Sequence, residues 1–171
     1  GNWPGKTVAL AKGVTRYRNQ DYTLVDLPGT YSLIANSAEE AIASEFICFD
    51  KPAVTIVVCD ATALQRNLNL VLQILQMTAN VAVCVNLMDE AQKKNITLDL
   101  EALSRLLHVP VVGASARSRK GLDELMDTAA RVVAGEKTHP TKIRYTKPIE
   151  SAIEELEPLL EGPLAGRLNS R

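Results

Sequence analysis

The chain has 171 residues, a formal net charge of −1, 46% apolar residues, 23% charged residues and 4% aromatics. That length and aliphatic content suit one globular domain with a sizeable core, and the near-neutral charge gives no electrostatic footing for nucleic acid or anionic lipid, so no nucleic-acid partner is expected. Apolar runs such as residues 53–59 and 80–85 are strand-sized, too short to cross a bilayer, and the opening residues do not read as a signal peptide.

Residues 7–14 and 22–25 are rich in strand formers around a polar Asn19-Gln20-Asp21 stretch, which predicts a hairpin that delivers Asp26 to a sheet edge. A loop over residues 30–36 follows. Ser37 with Glu40 has the form of a capping box, opening a helix expected to run to about Phe46. Residues 53–60 read as a buried strand, Leu64, Leu68, Val71, Leu72 and Leu75 recur at helical spacing, and residues 80–86 read as the next strand. This is a βαβ unit, for which a right-handed crossover is expected. Leu100, Leu103, Leu106 and Leu107 mark another helix, residues 109–113 a strand, and Leu122, Leu125, Met126, Ala129 and Val132 a last amphipathic helix. The expected fold is α/β, a three-layer sandwich around a mostly parallel sheet.

Residues 135–147, rich in Gly, Pro, Thr and Lys, read as a linker between a domain over residues 1–134 and a segment over residues 148–171. In that segment Pro148 suits a first helical turn, and Ile149, Ile153 and Leu156 give a short helix one apolar stripe. One stripe cannot form a core, so the segment is expected to begin a second, helical domain. Cys48, Cys59 and Cys84 lack CxxC spacing and His108 and His139 stand alone, so buried thiols are expected and a structural metal cluster is not.

Two polar motifs at strand ends carry the chemistry: Asp-Leu-Pro-Gly at residues 26–29 and Asn-Leu-Met-Asp at residues 86–89. Each follows an apolar run, so each is expected at the carboxyl edge of a parallel sheet, where α/β folds bind ligands. The Asp89 carboxylate can accept two hydrogen bonds, from the N1–H and the exocyclic amine of guanine, while the Asn86 amide braces the loop. Adenine offers no such donor pair, and a site built on those bonds rejects ligands without them by roughly 10⁴-fold. Ser115 and Ala116, after the strand at residues 109–113, offer a backbone N–H to the guanine oxygen. Asp26 is expected to hold a water on Mg²⁺, and the Gly29 N–H to meet the γ-phosphate and order the following loop. Taken singly, the first motif reads as a turn and the second as a helix cap; order and spacing together favour a guanine-nucleotide site. Thr30 stands where many small GTPases have a water-orienting glutamine, so hydrolysis by the chain's own side chains is expected to be weak.

The opening Gly-Asn-Trp-Pro-Gly-Lys-Thr imitates a phosphate loop, but the first glycine is one residue too close, no strand precedes it and Thr7 runs into a strand instead of a helix. The better assignment is a first switch, in which Thr7 ligates Mg²⁺ through its hydroxyl and touches the γ-phosphate, while Lys6 is solvated. No strand followed by GxxxxGK[ST] occurs in the 171 residues. The domain therefore reads as truncated at its front, with weak or no GTP binding of its own.

The segments GNWPGKTV, VDLPGTYSL, VVCDATALQRNLNLVLQ, VNLMDEAQKKNITLD and VPVVGASARSRKGLDEL closely resemble the cytosolic G domain of the ferrous iron transport protein B family. The resemblance covers residues 1–133 and continues from residue 146 into the family's helical spacer. It implies a P-loop GTPase-like fold that binds GTP and GDP with Mg²⁺, hydrolyses GTP slowly and joins a membrane-embedded domain of the same polypeptide that moves Fe²⁺. A soluble segment at the cytoplasmic face of the bacterial inner membrane is implied as well. It also implies a K⁺ held by the backbone carbonyls of Gly1 and Trp3. Lys6 departs from the small apolar residue usual in the family before the switch threonine, and the family's phosphate loop is absent from the 171 residues. Two other functions compete: a protein-interaction fragment of the same fold that binds no nucleotide, and a cytosolic ribosome-associated GTPase, which the lack of a basic patch disfavours.

Overall fold

The computed structural model describes residues 10–33, 37–136, 138–140 and 143–164. Strands β1 (Ala11–Tyr17) and β2 (Gln20–Asp26) form an antiparallel ribbon in register from Ala11 opposite Asp26 to Tyr17 opposite Gln20. Arg18 and Asn19 make the turn, both left-handed with φ of 46° and 63°. This is the two-residue geometry whose twist matches that of the strands. The turn thus lies one residue earlier than the expected Asn19-Gln20-Asp21, in the register that pairs Tyr17 with Gln20, and tertiary contacts accompany it. The Arg18 guanidinium reaches Asp127 at 2.7 Å, and the Tyr17 hydroxyl donates to the same carboxylate at 2.6 Å.

Helix α1 (Ala38–Glu45) starts at Ser37, whose hydroxyl accepts the Glu40 N–H at 3.2 Å as the capping pattern predicts. It then widens into a π-helical turn, Phe46–Asp50, that ends at a left-handed Lys51. Strand β3 (Thr55–Asp60), helix α2 (Leu64–Met77) and strand β4 (Val81–Asn86) form the expected βαβ unit. Two short helices follow, α3 (Met88–Lys93) and α4 (Leu100–Leu107), the second capped by Asp99, which accepts the Ala102 N–H at 2.8 Å. Strand β5 (Val111–Gly113) and helix α5 (Leu122–Val133) complete the layers, and α6 (Lys147–Leu164) lies beyond residues 135–146.

Strands β3, β4 and β5 pair parallel in that order. Central β4 is buried from Val81 to Val85, as a strand covered on both faces requires. Val81, Val83 and Val85 join Val57, Cys59, Val71, Ile74 and Leu75 in the main core. Ala82 and Cys84 alternate to the opposite face, and α5, with buried Ala129 and Val132, packs on β4 and β5. The three cysteines are unpaired, and burial pushes the Cys59 thiol up to about 11, which leaves it inert as a nucleophile.

One expectation fails. The ribbon of β1 and β2 is a sheet of its own among the described residues, so Asp26 does not end a strand of the parallel sheet. In an antiparallel hairpin each strand takes its partner locally, and an apolar pair before Asp26 cannot distinguish that arrangement from a parallel strand.

Candidate functional site

The carboxyl ends of β4 and β5 lie side by side, with Val85 opposite Gly113, and the two loops beyond them are stitched together. The Ala114 N–H donates to the Val85 carbonyl at 2.8 Å, and the Met88 N–H donates to the Ala114 carbonyl at 3.1 Å. Asn86, the last residue of β4, accepts the Ala116 N–H on its side-chain oxygen at 3.0 Å. The Asp89 N–H donates to the Ser115 hydroxyl at 3.1 Å. Four of the expected site residues, Asn86, Asp89, Ser115 and Ala116, therefore form one bonded constellation. The Ala116 N–H is already engaged by Asn86, so a ligand oxygen reaching for it competes with that bond.

Local backbone geometry explains how Asp89 comes to this edge. Leu87 is left-handed, with φ 62° and ψ 32°, so the chain turns from β4 directly into α3 and Asp89 falls in the first helical turn. Such a conformation costs a branched residue on the order of 1–3 kcal/mol and persists only where its neighbours are fixed. Asn86 and Met88 are so fixed. The Leu87 side chain remains 37% exposed, an apolar surface beside the polar groups. The Ser115 hydroxyl, foremost, holds the Asp89 carboxyl below its ordinary value; desolvation opposes it, and the N–H groups of Asp89 and Glu90 and the Lys93 ammonium each add a smaller lowering effect. Asp89 is thus an anion at neutral pH, ready to accept two hydrogen bonds.

Ser115 is 5% exposed and bridges to Lys120, whose carbonyl accepts the Ser115 N–H at 3.0 Å. The next residue, Gly121, has φ +76°, and a Cβ there would lie 2.2 Å from the Gly113 carbonyl oxygen. Only glycine lets the start of α5 press against the end of β5. An open cavity of about 580 Å³ adjoins the constellation, lined in part by Met88, Asp89, Ile96, Leu98, Ser115 and Lys120. Leu87 and Gly121 have roles that the motif reading did not assign. The glycine before the last helix was a signal in the sequence, whereas nothing in the residue type announces a left-handed leucine.

Asp26 and Gly29 lie elsewhere, Asp26 exposed at the end of β2 and Gly29 exposed in the loop that follows. A Cβ at Gly29 would meet nothing within 4 Å. The Thr30 hydroxyl is engaged inside the loop: it accepts the Ser32 N–H at 3.1 Å, lies against the Ser32 carbonyl and is 3.4 Å from the Glu40 carboxylate. Gly1, Trp3, Lys6 and Thr7 lie outside the described residues. Among the described residues no group of three His, Cys, Asp or Glu side chains is placed to hold a metal ion, and no helix is long and apolar enough to cross a membrane.

The sequence profile described as "Ferrous iron transport protein B" matches residues 1–129. The chain is 36% identical over 168 residues to an Fe(2+) transport protein A/Fe(2+) transporter FeoB fusion protein of Porphyromonas gingivalis, covering 96% of this chain and 20% of that protein. It is 40% identical over 163 residues to the Fe(2+) transporter FeoB of Methanocaldococcus jannaschii, covering 93% of this chain and 24% of the relative. The chain thus spans between a fifth and a quarter of the length of these relatives. Among solved structures, the GDP form II of the cytosolic domain of the T. maritima FeoB iron transporter superposes with a TM-score of 0.87 at 33% identity, over 99% of this chain and 66% of that one. The FeoB G-domain from Methanococcus jannaschii gives a TM-score of 0.70 at 41% identity, over 72% and 79% of the two chains.

Proposed function

The chain belongs to the ferrous iron transport protein B family, and from that premise we propose that it is the guanine-nucleotide-binding, slowly GTP-hydrolysing part of a ferrous iron transporter, regulating Fe²⁺ passage through a membrane-embedded portion of the same polypeptide. Its place is the cytoplasmic face of the bacterial inner membrane. The observation that carries the reading is the bonded set of Asn86, Asp89, Ser115 and Ala116 at the carboxyl edge of β4 and β5. An anionic Asp89 accepts from the N1–H and the exocyclic amine of guanine, Asn86 fixes the Ala116 loop over the base, and the exposed Leu87 offers an apolar contact for the ring.

Asp26 and Gly29 face the other end of the nucleotide. Mg²⁺ would arrive on the nucleotide's phosphate oxygens, with the exposed Asp26 carboxylate bonded to a metal-bound water and Thr7 supplying a hydroxyl. The ion would supply charge neutralisation at the phosphates. Gly29 would donate its N–H to the γ-phosphate, with no side chain in the way. With Thr30 engaged by Ser32 and Glu40, no side chain is left directly after Gly29 to orient water, in keeping with slow hydrolysis. Gly1 and Trp3 are the proposed carbonyl donors to K⁺. Residues 1–134 would form the nucleotide domain, residues 135–147 the linker and residues 148–171 the start of the helical spacer. The exposed Ile149 and Leu156 on α6 fit a helix that packs against further helices.

The test is competitive displacement of a labelled guanine nucleotide from the domain joined to a phosphate loop. Guanine nucleotides should displace it and adenine nucleotides should not, and Asp89→Asn should weaken GTP and favour a xanthine nucleotide, because the amide donates to the extra carbonyl. Unchanged guanine preference in Asp89→Asn removes Asp89 from the site.

A further inference from the structure

Leu33 is buried in the main core, 6% exposed, yet lies in no helix or strand. Its backbone groups therefore need partners from outside the regular ladders, and the flanking helices supply both. The Gln73 side-chain oxygen on α2 accepts the Leu33 N–H at 2.6 Å, and the Ser44 hydroxyl on α1 donates to the Leu33 carbonyl at 3.1 Å. The Ser32 hydroxyl donates to the same Gln73 oxygen at 3.4 Å. A backbone N–H can only donate, which fixes the orientation of the Gln73 amide, and its carbonyl has a lone pair for each donor.

The loop from Asp26 is thus anchored at two points: upstream where β2 ends and downstream at Leu33. Between them lies Gly29, exposed and with open space around it. On the same face of α2, seven residues before Gln73, Arg66 places its guanidinium 4.1 Å from the centroid of the exposed Tyr31 ring. That contact faces water and is easily released. The contact at Leu33 is the one that ties the loop to the core.

We propose that Gln73 is a positioning residue for the nucleotide reaction: by holding Leu33 it sets the downstream end of the loop so that the Gly29 N–H can meet the terminal phosphate. This rests on the guanine-nucleotide reading above. The Gln73 side chain acts through the loop and touches no ligand. Its influence therefore falls on the triphosphate state, where Gly29 has a partner, and leaves diphosphate binding, which depends on the base and inner phosphates, largely intact.

The experiment is single-turnover GTP hydrolysis and GDP affinity in the full-length polypeptide, with Gln73→Met, which keeps the length but removes the acceptor, and Gln73→Glu, which retains it. Gln73→Met should lower the hydrolysis rate about tenfold, the worth of one hydrogen bond to a buried backbone N–H, with GDP affinity within about twofold of wild type. Gln73→Glu should recover most of the rate. Hydrogen exchange at the Leu33 amide should quicken in Gln73→Met and remain protected in Gln73→Glu. Equal hydrolysis by wild type and Gln73→Met overturns the inference, as does a parallel loss of GDP affinity and hydrolysis, which would mark a structural role. A wild type that hydrolyses no GTP overturns the functional reading itself, and with it this one.

Discussion

Replacing Gly121 by alanine tests whether the close approach of α5 to the end of β5 is what shapes the Ser115 loop. Two costs act at this position. The backbone, at φ +76°, is one that an L-residue adopts at about 1–2 kcal/mol, partly offset by about 0.4–1 kcal/mol from the stiffer unfolded chain. The added Cβ would also lie 2.2 Å from the Gly113 oxygen and 3.1 Å from the Ala114 Cα, both backbone atoms with no rotamer to yield. Relieving that overlap shifts the strand end or the helix start, at about 1–3 kcal/mol. The expected total is about 3 kcal/mol, or a fall in Tm of roughly 6–12 °C for a domain of this size. Gly135 is the internal control, since its φ is +95° but a Cβ there meets nothing within 4 Å. Gly135→Ala should show the backbone cost alone, about 1 kcal/mol. Urea denaturation followed by circular dichroism measures both variants. If Gly121→Ala is no more destabilising than Gly135→Ala, the contact with Gly113 and Ala114 does not constrain the loop.

Four further outcomes are expected. The fold holds the Asp89 carboxyl below its ordinary value, so its contribution to stability is present above the unfolded pKa of about 3.9 and lost as pH falls through the lower folded pKa; carboxyl NMR titration should find the midpoint raised by Ser115→Ala, and an unchanged midpoint would sink the assigned cause. The 171 residues alone should bind Mg-GTP weakly or not at all, because their sequence holds no GxxxxGK[ST] run to supply a backbone N–H cradle and lysine for the phosphates, and a micromolar dissociation constant by calorimetry would restore Gly-Asn-Trp-Pro-Gly-Lys-Thr as a working phosphate loop. In the domain joined to a phosphate loop, Thr7→Ala and Asp26→Ala should slow hydrolysis by about 10²-fold with GDP affinity kept. K⁺ should accelerate the same reaction over Na⁺, and equal rates in both salts would remove Gly1 and Trp3.

The helices and strands of the parallel sheet were legible because their apolar residues recur at the period of the element they form. Val81 to Val85, a short β-branched apolar run closed by Asn86, fits a strand buried on both faces, and Val71, Ile74 and Leu75 lie on one face of a helix. Asn86, Asp89, Ser115 and Ala116 were legible as neighbours because each motif follows an apolar strand run, and the ends of those strands meet at one sheet edge where hydrogen bonds join the four. The π-helical turn at Phe46–Asp50 and helix α3 were not, since short elements offer too few turns to display a period.

Determined by the sequence alone were the α/β class, the strand ends that carry Asp26 and Asn86 and the family likeness, all of which depend on local pattern and residue chemistry. Tertiary structure decided the rest. Arg18 is a turn residue whose guanidinium meets Asp127, far along the chain, and the left-handed Leu87 lies between residues bonded to the neighbouring loop at Asn86 and Met88. Among the described residues Asp26 sits on a ribbon apart from the parallel sheet, because strand pairing is a choice between partners that pattern does not rank. Leu33 found its hydrogen bonds on two helices for the same reason. A buried backbone group must be satisfied, but which distant side chain satisfies it is settled only when the chain has packed.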